Sequence, residues 1–434
     1  MGNGGSTIYS MLYASSAFSA EITLVAETSQ TDTLVSFAWI MAAALVAPLL
    51  SYATGKRIPA VVLLIAFGCL IGPHVLGLAS EAGGVGLIKE IGLGMLFLLA
   101  GYEIDPETLR GKEGRSGLST WIMCAVLSFL GAFAILGFDN ASTAIVLAIA
   151  VTSTAIGTLL PIMKQQNLLN TSVGSSLMIH GAIGEIAPIL AMALLLSARS
   201  TWTTAAVLFA FFLIAIVVAI VPKTVKLFLP WMGRAMVDGA GSTNQTVLRL
   251  ILLMLAILMA VAAVFELDVV LGAFAAGFIL RQMVPQKYRV ALEQRLDIVG
   301  YSLLIPVFFI CSGMAIDPAA VAEKPWFLLI LIPLIYITRG LPVFLREMFF
   351  NTGSGLKDWR EKLQLSLFAA TALPIIVAVT EVATASHILS HENASIMVAA
   401  GSITVLLFPL LASHLKPAKA YTESPQQVQD VSHS

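Results

Sequence analysis

About thirteen runs of roughly 20 apolar residues recur along this chain, and nothing else in it limits the fold so tightly. They fall at 33–53, 58–79, 84–104, 117–137, 141–164, 172–197, 203–222, 245–265, 268–284, 297–316, 325–345, 361–382 and 393–413. In lipid every backbone N–H and C=O must find a partner within the protein, which leaves helices and closed barrels as the spanning forms. Continuous apolar runs, rather than short alternating strands, select helices. The composition agrees: 58% of the 434 residues are hydrophobic and 11% are charged, with a mean hydropathy of +0.92. A soluble domain carries about a quarter of its residues as Asp, Glu, Lys and Arg. The chain therefore reads as an all-α polytopic membrane protein whose surroundings are a lipid bilayer. Its formal net charge of −1 gives no reason to expect a nucleic-acid partner.

The distribution of charge orients the spans. With the N-terminus outside, Lys56, Arg57, Arg110, Lys112, Arg115, Lys223, Lys226, Arg346, Lys357, Arg360 and Lys416 all fall on the cytoplasmic side, whereas Arg199 and Lys324 fall in outer loops. That asymmetry follows the positive-inside rule and supports the span count, since one missed helix would scramble it. Residues 1–32 lack the basic start of a secretory signal and read as an extracytoplasmic tail or surface helix, and 416–434 as a cytoplasmic tail.

An internal echo suggests duplication. Gly101-Tyr-Glu-Ile-Asp-Pro106 ends the third span and Gly313-Met-Ala-Ile-Asp-Pro318 the tenth, seven helices apart. An odd offset reverses orientation, as inverted-topology repeats require; the alternative is two independent helix stops. With that offset the fifth span pairs with the twelfth. The fifth holds Thr152, Ser153, Thr154, Gly157, Thr158 and Pro161, and the twelfth holds Thr371, Pro374, Thr380 and Glu381. Hydroxyls and proline in corresponding spans point to broken helices near the membrane midplane, with Gly157, Pro161, Thr371 and Pro374 expected at the breaks.

Two ionisable groups lie deep in apolar spans: Glu185 in the sixth and Arg339 in the eleventh. A charge at that depth costs several kcal/mol and faces a wet cavity or a partner. Arg339 either neutralises Glu185 or satisfies half-helix carbonyl ends. His180, five residues before Glu185, is either a packed histidine or a proton relay. Asp105, Asp317, Glu103 and Glu266 sit at span ends, where capping explains them. A carboxylate in a low-dielectric cavity favours its protonated form, and a nearby cation favours the ionised one. A proton and a cation then compete for one pair of oxygens, and loading either expels the other.

Four segments make the likeness specific: GKRIPAVVLLIAFGCLIGPHVLGL at 55–78, LGMLFLLAGYEIDPETLRG at 93–111, TSTAIGTLLPIMK at 152–164 and LLIPVFFICSGMAID at 303–317. Over residues 33–415 the chain resembles the monovalent cation/proton antiporter superfamily, in particular the cation:proton antiporter-2 family with its NapA-like and Kef-like membrane domains. The resemblance implies an NhaA/NapA-like fold with two crossed broken helices. It implies a core bundle at about 117–197 and 325–413, and a dimer or scaffold bundle at about 33–104 and 203–316 that makes a homodimer. It also implies exchange of Na+ or K+ for protons by alternating access, with no cofactor and no metal beyond the transported cation. Glu185 matches the ion-binding carboxylate, Arg339 the basic position of the eleventh span, and Thr152, Ser153 and Thr154 the unwound part of the fifth. The family's usual polar pair is replaced by Gly184-Glu185, which fits an electroneutral one-for-one exchanger better than two-proton exchange. No nucleotide-binding regulatory domain is expected after the last helix.

The rival readings are a Kef-like gated potassium efflux protein and a transporter of another solute on the same architecture. Enzyme signatures are missing: there is no His-Glu-x-x-His, Gly-x-Ser-x-Gly or Walker loop. Cys69, Cys124 and Cys311 lie in apolar runs as small core residues. His387, His391 and Glu392 have a possible metal spacing but read as solvated loop residues.

Overall fold

The computed structural model describes residues 30–55, 58–104, 111–166, 168–169, 171–195, 213, 246–265, 267, 269–284 and 286–415. The seventh expected span, both tails, and the residues Asp105, Arg110 and Glu266 lie outside them. Every other expected span is helical. In chain order these are α1 (Gln30–Ala53), α2 (Ala60–Ile71), α3 (Gly84–Glu103), α4 (Lys112–Leu136), α5 (Ala141–Val151), α6 (Ile156–Gln165) and α7 (Ser172–Leu195). Then come α8 (Thr246–Val264), α9 (Val269–Met283), α10 (Tyr288–Met314), the short α11 (Pro318–Glu323), α12 (Pro325–Phe349), α13 (Trp359–Ala369), α14 (Leu373–Ala385) and α15 (His391–Ser413). Among the described residues nine helices are long and apolar enough to cross a membrane.

Two boundaries differ instructively from the sequence expectation. The tenth span, expected from 297, is already helical at Gln286, because Arg289, Glu293, Arg295 and Asp297 lower the hydropathy without breaking the helix. The second span ends at Ile71 rather than 79, since Gly72 and Pro73 stop it. Asp317 caps α11 by accepting from the Ala319 N–H at 2.9 Å, as its place at a span end suggests.

Proline also shapes two long helices from within. Gly300–Leu304 in α10 and Tyr336–Gly340 in α12 are single π-helical turns, and each is followed two residues later by a proline, Pro306 and Pro342. A proline has no N–H for the carbonyl four residues back and crowds that carbonyl, so a widened turn is the local remedy. The second such turn carries Arg339.

Helix packing sorts the spans into two groups. α2, α3, α8, α9 and α10 pack on one another, and α4 to α7 pack with α12 to α15. In the first group the contacts are made by glycines. A Cβ on Gly277 of α9 would stand 2.0 Å from the Leu98 carbonyl oxygen of α3, and one on Gly101 of α3 would stand 2.3 Å from the Phe274 oxygen of α9. The other pair repeats this: Gly68 of α2 would meet the Ile310 oxygen at 2.0 Å, and Gly313 of α10 the Ile65 oxygen at 2.2 Å. The third span crosses the ninth as the tenth crosses the second, the exchange that a repeat offset of seven helices demands. Backbones this close suit membrane helices, whose association depends on van der Waals packing rather than hydrophobic expulsion. On the outside, Leu118, Ile122, Val126 and Leu130 of α4 form one exposed apolar stripe four residues apart, placed for lipid.

Gly277→Ala and Gly68→Ala are each expected to cost about 1–3 kcal/mol through forced separation of backbones. Thermal unfolding in detergent checks this. Gly137→Ala, with nothing within 4 Å of its added carbon, should not lose stability by overpacking and is strained only by its φ of +74°.

Candidate functional site

The fifth and twelfth spans are both broken. Residues 152–155 separate α5 from α6, and residues 370–372 separate α13 from α14. Each break begins where a hydroxyl turns back on its own helix. Thr152 Oγ1 donates to the Ile149 carbonyl at 2.8 Å, Ser153 Oγ to Ala150 at 2.6 Å, and Thr371 Oγ1 to Phe368 at 2.8 Å. Such back-bonds offer carbonyls an alternative to the helical ladder and so permit the chain to unwind. Pro374, second residue of α14, then starts the following half-helix without needing an N–H partner. Gly157 and Pro161 are not at the break: the chain unwinds upstream of them, and both lie within α6. The cluster of three hydroxyls, not the glycine or proline, marks the unwound link.

The two breaks complete each other. The Thr154 hydroxyl donates to the Ala369 carbonyl at the end of α13. The Ala155 N–H donates to the Thr371 carbonyl at 2.9 Å, and the Thr154 N–H to the Gly184 carbonyl of α7 at 3.0 Å. One N–H further on, Ile156 donates to Glu185 Oε1 at 2.6 Å. The N-terminus of α6 is thereby aimed at the one carboxylate in the middle of α7, where its partial positive charge favours an anion. Glu185 is 2% exposed. Thr152, Ser153 and Thr154 are all buried beside it in the link.

Arg339 is fully buried, yet its hydrogen bonds run to the link and to backbone. Nε donates to Thr154 Oγ1 at 2.9 Å, Nη2 to the His180 carbonyl at 2.9 Å, and Nη1 lies 3.6 Å from Cys124 Sγ. Of the two roles left open by the sequence, these bonds match service to the unwound backbone. They also account for Gly184. A Cβ there would stand 2.5 Å from Arg339 Nη2 and 2.9 Å from Thr154 Cβ and Oγ1, so the guanidinium occupies the space that a larger residue would need. Sequence reading missed this relation, because the signal is a shape and not a spacing.

The His180 carbonyl belongs to this cluster, but its ring nitrogen lies nearest an acid of α12. Its Nε2 stands 3.8 Å from Glu347 Oε1 in α12, while Glu347 Oε2 accepts from Thr352 at 2.8 Å and Ser354 at 2.6 Å. Glu392 pairs with Lys324 at 2.9 Å, and among the described residues no group of His, Cys, Asp and Glu could hold a metal ion.

Two cavities approach from opposite ends of α15. One, of about 480 Å³, is lined by Lys89, Ser312, Val377, Thr380, Glu381 and His391; the other, of about 670 Å³, by Leu96, Thr158, Tyr301, Phe309, Leu406 and Pro409. Both lie between the two groups of helices, and Thr158 in the larger one is two residues beyond the N–H that holds Glu185.

The family model described as "Sodium/hydrogen exchanger, transmembrane" matches residues 40–414. The chain belongs to that family. The sequence resemblance to the cation/proton antiporters holds at the level of the family. Among relatives, it is 23% identical over 421 residues to a putative Na(+)/H(+) antiporter, YjbQ, of Bacillus subtilis (strain 168), covering 91% of this chain and 65% of that one. It is 33% identical over 277 residues to the glutathione-regulated potassium-efflux system protein KefC of Escherichia coli, covering 61% of this chain and 42% of that one. The chain thus spans less than two thirds of the first relative's length and less than half of the second's. The solved structure of the sodium proton antiporter MjNhaP1 from Methanocaldococcus jannaschii superposes with a TM-score of 0.61 at 16% identity, covering 89% of this chain and 97% of that one. The likeness shows a common fold.

Thr154→Val should leave the Ala369 carbonyl and Arg339 Nε without their shared partner, costing about 1–3 kcal/mol, whereas Thr154→Ser should retain most of the stability. Unfolding midpoints in detergent separate the two. Gly184→Asp should lower the midpoint further than Thr154→Ser, because it needs space that Arg339 fills.

Proposed function

We propose that the protein exchanges a monovalent cation, Na+ or K+, for protons, one for one, using Glu185 as the shared site. The observation that carries this reading is the buried carboxylate at the crossing of two broken helices, held on one oxygen by the Ile156 N–H at 2.6 Å. The relatives named as Na(+)/H(+) antiporters and the family match support the ion class. An alkali cation needs hard oxygen ligands, which the link hydroxyls and carbonyls beside Glu185 would supply. With a single acid and Gly184 beside it, the site has one group to trade a proton for a cation, which makes the exchange electroneutral.

In this reading Arg339 is a positioning residue that keeps the link in place, and Thr152, Ser153 and Thr154 border the ion. Thr371 and Pro374 shape the second break, and Gly157 and Pro161 belong to the half-helix that carries the anchoring N–H. His180 packs with Glu347, so His180→Gln retains exchange; a relay role would require its loss. The six core spans move against the scaffold spans to expose Glu185 at each face in turn. The protein sits in the inner membrane with its N-terminus outside, and the scaffold group makes a homodimer. The likeness to KefC favours one second reading, gated potassium efflux, in which flux needs no proton counterflow.

Proteoliposomes with a preset pH gradient test this. Added Na+ or K+ should collapse the gradient, and Glu185→Gln should slow that collapse at least about a hundredfold, the loss expected when the sole exchanging group goes. Potassium flux that persists in Glu185→Gln without proton movement would establish the channel-like reading instead.

A further inference from the structure

The smaller cavity holds an ion cluster that the exchange site does not use. Lys89 projects from α3 in the scaffold group, and its Nζ lies 3.0 Å from Glu81 Oε2, in the turn before the same helix. The same Nζ lies 2.7 Å from Glu381 Oε1 on α14 in the other group. The lysine and Glu381 side chains are 15% and 29% exposed, so water screens the pair only in part. Close by, Ser395 Oγ of α15 accepts from the Asp317 N–H at 3.1 Å and donates to the His391 carbonyl of its own helix at 2.9 Å. On this face, then, the two groups of helices are joined by both an ionic and a polar contact.

Glu381 is also tied mechanically to the ion site. It stands nine residues past Ala372, the last residue of the second break, on an uninterrupted helix. At 1.5 Å per residue that is roughly 13 Å of rigid rod between the crossing and the ion pair. Any movement of α14 against α3 that opens this face must lengthen the 2.7 Å contact.

We propose that Lys89, held by Glu81 and bridging to Glu381, is a latch that keeps this face closed and biases the protein toward the conformation seen here. Glu81 fixes the ammonium on its own bundle, so the bond that breaks on opening is the one to Glu381. The latch rests on alternating access, but its test needs no transport and no knowledge of which face is outside.

The test measures how fast a hydrophilic maleimide labels purified protein in detergent, with labelling of the three native cysteines subtracted. Val377→Cys reports the latched cavity, where Val377 is 1% exposed, and Leu406→Cys reports the opposite cavity. Adding Glu381→Gln, or independently Lys89→Met, should label Val377→Cys roughly threefold to tenfold faster, the shift that a partly screened ion pair supports. Leu406→Cys should not quicken. The charge swap Lys89→Glu with Glu381→Lys should return Val377→Cys to the parental rate. Unchanged labelling at Val377→Cys, equal acceleration at both positions, or a swap as fast as Glu381→Gln would overturn the latch. If exchange activity proved absent while this pattern held, the latch would stand and the transport reading would fall.

Discussion

The structure depends on a mutual repair of two interrupted helices. Unwinding a helix in hydrocarbon strands N–H and C=O groups at several kcal/mol each, and neither break is tolerable alone. Here the Thr154 hydroxyl covers the Ala369 carbonyl, the Ala155 N–H covers the Thr371 carbonyl, and the Thr154 N–H covers Gly184. The crossing is thus obligatory: each link is the solvent of the other. The anchored Glu185 and the buried Arg339 both hydrogen-bond to it.

Arg339 and Glu185 carry opposite charge into the same region, yet they are held by different things. The guanidinium is spent on Thr154, the His180 carbonyl and Cys124, while the carboxylate is met by the N-terminus of α6. The arginine is held on a backbone carbonyl, a hydroxyl and a thiol, and the Ile156 N–H holds one oxygen of the acid. Gly184 is the condition for that arrangement, since any side chain there would press on Arg339.

Much of this was legible in the sequence because the membrane makes its demands locally. Apolar length gave the twelve described spans, and the hydroxyls of Thr152 to Thr154 gave one break. The echo between Gly101 and Gly313 pointed to a repeat, and both glycines turn out to pack against a partner helix backbone. What escaped reading depends on three dimensions. Gly157 and Pro161 looked like breakers but continue a helix, since the hydroxyls upstream unwind the chain first. Lys89 and Glu381 are 292 positions apart and meet only through the fold. The partners of Arg339 likewise come from α4, α7 and the link, which no spacing rule connects.

In the proposed exchange one carboxylate, Glu185, is contested by a proton and a cation. Titrating Na+ or K+ into the purified protein in weak buffer, while recording pH, tests it without vesicles or gradients. About one proton should be released per bound ion, and none in Glu185→Gln. Ion binding with no proton released, or equal release in the variant, would contradict it.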